Sequence, residues 1–317
     1  MLNELPRTTQ LDFGITAIDT DHIRPLFDAS HLIVENGRAA FVDTGANESV
    51  PLLLAALEEK NLDKADVEFV FLTHVHLDHA GGAGLLLQSL PNAKAVLHPR
   101  GAPHMIDPAK LTRGAQAVYG KEKFAEQYGE IVPIVEDRIV VVADNAEISL
   151  GGREMRCLYT EGHARHHYVL SDPYSRGVFT GDSFGLSYRE FDTSRGEFIY
   201  PTTTPVHFDP PEAHKAIDRI MSLSPQKLFL THYSQVVDLP RLADDMHRRI
   251  DDFVALARRA EKATNRTEKI HRSMYAYFHE ALAEHGFSGT PEQIDKIVEI
   301  DVLLNTMGLE FWLDHQH

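Results

Sequence analysis

The stretch Thr73-His74-Val75-His76-Leu77-Asp78-His79-Ala80-Gly81-Gly82 constrains this chain more than any other. From His74 onward, four groups able to bind a metal fall at i, i+2, i+4 and i+5. The run before it, Val67 to Leu72, is mostly apolar and β-prone, which predicts a buried strand. The run after it, Gly84 to Leu90, reads as the opening of a helix. The cluster therefore sits on a strand-to-helix loop, where side chains converge without breaking a backbone ladder. While the chain is still extended, His-x-His points two imidazoles the same way. The turn that follows lets Asp78 and His79 face a second position. Imidazole and carboxylate donors suit zinc and other borderline divalent ions. One histidine on a polar loop would read as a surface group; this spacing, between a buried strand and Gly-Gly, reads as a metal site.

The flanking sequence alternates in the same way. Strand patterns are predicted at 15–20, 29–34 and 38–45, a helix at 49–60, a second helix to about Leu90 and a strand at 93–98, an α/β layering. Residues 99–130 break the pattern with short amphipathic stretches and read as a helical insertion, either a substrate lid or a structural excursion with its aromatic residues packed inward. A second strand-rich half follows at 139–142, 148–150, 156–159, 168–171 and 177–182. Residues 183–211 form a long loop rich in aromatic residues, the composition of an ordered functional loop. A helix at 212–223 and a strand at 227–230 close this part. From Pro240 the chain is charged and amphipathic, with helices at about 241–263, 267–284, 291–300 and 301–315. A boundary is placed near 238, giving a catalytic domain 1–238 and a helical region 239–317.

Three more strands end in a metal-capable residue: Gly162-His163 after the strand at 156–159, Thr180-Gly181-Asp182, and Thr231-His232. Val42-Asp43-Thr44-Gly45 places an acid after an early strand. A loop of four donors cannot enclose two ions, so distant partners are required, and these are in the right places. Other histidines read differently. His166 and His167 are either inward-pointing hydrogen-bond partners or polar groups on a strand near the surface. His98, His104, His207 and His214 read as non-ligands. Tyr188, Tyr200 and Tyr233 are candidates for substrate contact, with ordinary packing the alternative.

Over residues 12–237 this order of motifs resembles the metallo-β-lactamase-fold hydrolases, whose signature is H-x-H-x-D-H. The resemblance implies a four-layer αββα sandwich, here with a C-terminal all-helical extension. It implies that His74, His76 and His163 bind one metal, that Asp78, His79 and His232 bind another, that Asp182 bridges them, and that Asp43 supports the loop from behind. The Thr-Gly-Asp and Gly-His elements look closest to the glyoxalase II, lactonase and ribonuclease Z relatives. Ala164 departs from the threonine usual after the glyoxalase II ligand, so thioester specificity is not carried over.

The activity implied is that of a dinuclear metal-dependent hydrolase acting on an ester, thioester, lactone or phosphoester of a small molecule. Its nucleophile is a metal-bridging hydroxide, and Asp78 and Asp182 are the catalytic carboxylates. Two ions per chain are expected, zinc first, with iron or manganese as alternatives. A mononuclear iron oxygenase of the persulfide dioxygenase type and a ribonuclease Z-like nuclease are the rivals. A net charge of −16 opposes nucleic-acid binding. No apolar run approaches the ~18 residues of a membrane span, and Met1-Leu2-Asn3-Glu4-Leu5-Pro6 lacks the basic and apolar segments of a signal peptide. The one cysteine, Cys157, reads as a buried inert thiol, and a cytoplasmic location is expected. The C-terminal helices offer a pocket wall or a homodimer contact.

Overall fold

The computed structural model describes residues 7–315; the N-terminal stretch Met1–Pro6, read above for a signal peptide, lies outside the described residues. The first sheet is built from β1 (Thr8–Gln10), β2 (Ile15–Asp19), β3 (Ala29–Glu35), β4 (Arg38–Val42), β5 (Val67–Phe71), β6 (Lys94–Leu97) and β7 (Ile139–Val141), side by side in chain order. Pairing is antiparallel from β1 to β4 and parallel from β4 to β7. Parallel neighbours need crossovers. These are supplied by α1 (Val50–Glu59), by α2 (Leu77–Ala80) with α3 (Ala83–Ser89), and by the insertion α4 (Ala102–Ile106), α5 (Ala109–Tyr119) and α6 (Lys121–Gln127).

The second sheet runs β13-β12-β11-β10-β9-β8. It is composed of β8 (Ala146–Leu150), β9 (Arg153–Tyr159), β10 (Tyr168–Asp172), β11 (Gly177–Gly181), β12 (Lys227–Leu230) and β13 (Ser234–Val236). Helix α7 (Pro210–Ser222) precedes β12, and α8 (Leu239–Ala260), α9 (Arg266–Glu284) and α10 (Pro291–Asp314) follow β13. The architecture is an αββα-like sandwich of two β-sheets followed by an all-helical C-terminal extension.

Side-chain alternation explains the layering. On β4, Ala39 and Phe41 join Leu53, Leu57, Val70 and Leu86 in the core between the first sheet and its helices. Their neighbours Ala40 and Val42 join Phe71, Val96, Met155, Cys157, Tyr168 and Phe179 between the sheets. Cys157 is buried there, and burial pushes its thiol up to about 12, in keeping with an inert thiol.

The chain divides into two compact units, each described by itself. One holds both sheets, with residues to Tyr159, His166–Gly181 and Leu228–Gln235. The other holds Thr160–Arg165, Asp182–Lys227 and the chain from Val236 onward. Within this second unit the 183–211 loop is ordered: Tyr188 and Tyr200 donate to the buried carboxylate of Asp301 at 3.3 and 3.2 Å. Thr203 donates from its N–H to Asn305 Oδ1 at 2.6 Å. The two C-terminal helices expected at 291–300 and 301–315 are one continuous helix, α10. Asp301, the first residue of the second expected span, lies inside that helix, 5% exposed, and serves the loop.

Candidate metal centre

Beyond β5 the chain bends at Thr73 and His74 and is extended again at His76, whose φ and ψ are −66° and 150°, and α2 begins at Leu77. Val75 points into the helix-side core. Its neighbours His74 and His76 therefore share the opposite face, and His74 Nε2 lies 2.9 Å from His76 Nδ1. The single turn of α2 then carries Asp78 and His79.

Asp43, at the end of β4, holds this loop from behind. Oδ1 accepts from the Thr73 N–H at 2.9 Å; Oδ2 accepts from Thr231 Oγ1 at 2.8 Å and faces His79 Nδ1 at 2.8 Å. With Nδ1 committed to a carboxylate, His79 presents Nε2, which stands 3.6 Å from Asp78 Oδ2. His232, just past β12, repeats the arrangement: Nδ1 faces the Phe27 carbonyl at 2.9 Å and Nε2 lies 3.4 Å from Asp78 Oδ2. His163 does so again, with Nδ1 at 3.2 Å from the Thr202 carbonyl and Nε2 at 3.4 Å from Asp182 Oδ2.

Glycines let these ligand loops pack tightly. Gly162 has φ +118°, and a Cβ there would lie 2.4 Å from the Ala213 nitrogen; Gly181 has φ +48°, and its Cβ would lie 2.5 Å from Thr73 Oγ1.

The donors gather by unit: Asp78, His79 and His232 form one group and His74 meets His76 in the first unit, while His163 meets Asp182 in the second. Within each group one ligand atom per residue lies within 4.8 Å of all the others. The chemistry fits divalent ions. The donors are imidazole and carboxylate, five of the seven buried, and on His79, His163 and His232 the ring nitrogen facing away from the group meets an oxygen, as ligating histidines require. All seven ligand candidates of the sequence fall within these groups.

His166 and His167 are buried rather than on the surface. The His167 ring is 4.7 Å from that of His74, and His166 lies 5.7 Å from His76. His98 belongs elsewhere: its Nδ1 accepts the Arg100 N–H at 3.0 Å, and burial lowers its pKa to about 4. Tyr188 and Tyr200 are committed to Asp301.

Sequence reasoning missed three groups. Asp28 is completely buried; Thr20 donates to its Oδ1, and Oδ2 has no hydrogen-bond partner among the described residues. Burial raises its carboxyl to about 7, against the opposing pull of His22 and His232. His22 lies 5.2 Å from the Tyr128 ring and meets Glu48 Oε1 through Nδ1 at 3.2 Å. Both Asp28 and His22 feel the charge of Asp78, and so does Tyr128, whose hydroxyl is raised chiefly by burial. A polar run before β3 marks Asp28 and His22 in the sequence, and Tyr128 lies in the 99–130 insertion.

The profile of the Metallo-beta-lactamase superfamily matches residues 23–232. The metallo-beta-lactamase fold-containing protein ST1585 of Sulfurisphaera tokodaii is 32% identical over 196 residues, 60% of this chain and 67% of that protein. The crystal structure of ST1585 superposes with a TM-score of 0.66 at 23% identity, covering 94% of this chain and 98% of its own. The family protein TTHA1429 of Thermus thermophilus superposes with a TM-score of 0.67 at 17% identity, covering 96% and 94%. A hydroxyacylglutathione hydrolase of Salmonella paratyphi A is 35% identical over 96 residues, so the match spans 28% of this chain and 36% of that enzyme.

Proposed function

Because the chain belongs to the metallo-β-lactamase superfamily, we propose that it is a dinuclear metal-dependent hydrolase of a small-molecule ester, thioester, lactone or phosphoester. The observation that carries this reading is the gathering of imidazole and carboxylate donors within each unit, with outward nitrogens tied to oxygen. In this reading His74, His76 and His163 would hold one ion, Asp78, His79 and His232 would hold the other, and Asp182 would serve both. Bound zinc ions would bring the pKa of a water from ~15.7 towards about 7 and polarise the electrophilic oxygen of the substrate.

The remaining work falls to the chain. Asp43 fixes the tautomer and tilt of His79. Asp78, with its side chain 23% exposed, is the one acid of its group that solvent reaches, which suits its carboxylate to take the proton of the attacking water. The buried rings of His74, His79 and His232 exclude bulk water, which strengthens every charge interaction at the site. The likeness to hydroxyacylglutathione hydrolase supports testing thioesters first, although Ala164 still departs from the threonine expected there. The same reading makes the protein a cytoplasmic enzyme without nucleic-acid or membrane partners, with a catalytic domain to about 238 and a homodimer contact on the C-terminal helices. Among the described residues no helix is long and apolar enough to cross a membrane.

The test is elemental analysis of protein purified without added metal, followed by hydrolysis of a panel of thioesters, lactones and phosphodiesters. About two zinc ions per chain, with hydrolysis abolished in Asp182→Ala, is the expected result. One iron, no zinc and oxygen uptake would replace the hydrolase with an oxygenase.

A further inference from the structure

On α7, His214 and Asp218 stand one turn apart, and on α8 so do His247 and Asp251. The two imidazoles meet: Nδ1 of His214 lies 2.7 Å from Nδ1 of His247, and the ring planes differ by 7°. Nearly parallel planes with nitrogens this close leave less than a ring's thickness between them. With centroids 5.0 Å apart, the rings must lie edge to edge, nitrogen facing nitrogen. Each far nitrogen meets a carboxylate from the other helix, His214 Nε2 at 3.2 Å from Asp251 Oδ1 and His247 Nε2 at 3.3 Å from Asp218 Oδ1.

Hydrogen bonding to a carboxylate places a proton on Nε2 of each ring, so in a neutral imidazole Nδ1 is the bare nitrogen. Two bare nitrogens aimed at each other repel unless a cation lies between them. A carboxylate on one ring nitrogen with a cation on the other is also the arrangement that orients ligating histidines. We propose that His214 and His247 form a clamp for a divalent transition-metal ion of the nickel, copper or zinc type, oriented by Asp218 and Asp251, with water completing the coordination.

Tetrahedral zinc with bonds of about 2.05 Å needs its two nitrogens about 3.3 Å apart, some 0.6 Å more than in this structure. Small rotations of two rings 28% and 31% exposed supply that difference, and the exposure gives an ion access from solvent. The clamp would tie α8 to the helix whose start packs on the loop of His163: Asp209 donates its N–H to the Gly162 carbonyl at 2.9 Å. Nothing in the linear sequence pairs His214 with a residue 33 positions on, which is why it read as a non-ligand.

The experiment is equilibrium dialysis of the full chain against nickel ion, with metal counted by elemental analysis and helicity checked by circular dichroism. Wild type is expected to hold one more nickel per chain than His214→Ala or His247→Ala. The remaining metal and any hydrolytic rate should be the same in all three. The pair Asp218→Asn with Asp251→Asn should keep the site with affinity lowered 10–100-fold. His214→Gln, which keeps a polar side chain at this half-exposed position, should behave as His214→Ala. Equal nickel counts in wild type and both alanine variants would overturn the proposal and leave a proton alone between the rings. Failure of the hydrolase reading would show instead as missing hydrolysis, with the nickel difference intact.

Discussion

Asp43 accepts from Thr73 and Thr231 and faces His79, so one carboxylate gathers the ends of β5 and β12 around the loop after β4. Asp43→Asn keeps the shape but replaces one acceptor oxygen with an NH2 that faces donors. Zinc affinity, read by chelator competition, is expected to fall 10–100-fold, and the urea midpoint should drop as buried donors lose their acceptor. An affinity within twofold of wild type would remove Asp43 from the support of the site. Asp28 makes a second case. Its folded pKa of about 7 lies above the ordinary value, so the folded state keeps a proton that the unfolded chain has already released. In the chelated protein its contribution to stability is therefore fully present below about pH 4 and is lost as pH rises through 7. Asp28→Asn should gain on wild type over that window, by an amount on the order of 4 kcal/mol at pH 8. Parallel urea midpoints from pH 4 to 8 would refute it. The candidate ligands were legible because each follows a strand at short range. Asp28 and His22 were not, because only tertiary packing brings them near Asp78.

Elements with a clear period were readable in the sequence: β2 to β6 and the helices after residue 238 lie close to their expected spans. β1 and β13, three residues each, are too short to carry a period and were not anticipated. The continuity of α10 was also hidden. The second expected span begins at Asp301, which lies inside the helix and is buried because Tyr188 and Tyr200 satisfy it from the loop. The same helix carries Gly308, where a Cβ would lie only 1.4 Å from the Thr203 carbonyl oxygen. Gly308→Ala must push the loop away from α10, and overpacking of this kind costs about 1–3 kcal/mol. Calorimetry should show a lower Tm, with proteolysis appearing first between residues 183 and 209. An unchanged Tm would mean that the loop yields freely.

At the scale of the molecule, the change from strands to helices at 238 was visible in composition, and the catalytic domain is proposed to end there, with its 183–211 loop leaning on the helices beyond it. Residues 182–227 and the helices from 236 onward belong to a single compact unit. Tyr188, Tyr200 and Thr203 lean on Asp301 and Asn305 across about a hundred positions of sequence. A chain cut after Asp238 removes those partners and leaves the hydroxyls of Tyr188 and Tyr200 and the aromatic residues of the loop facing water. Phe198 also loses Arg249, whose guanidinium lies 3.9 Å from its ring centroid. Because Asp182 opens this same loop, the damage should extend to metal uptake. Residues 1–238 alone are therefore expected to be recovered largely aggregated. Any soluble fraction should be cut rapidly between 183 and 209 and hold fewer zinc ions per chain than the whole protein. If the truncated chain instead proved monomeric, protease-resistant and loaded with as much zinc as the full-length protein, the helices would be a separable appendage. In the expected case they are part of what keeps Asp182 in place.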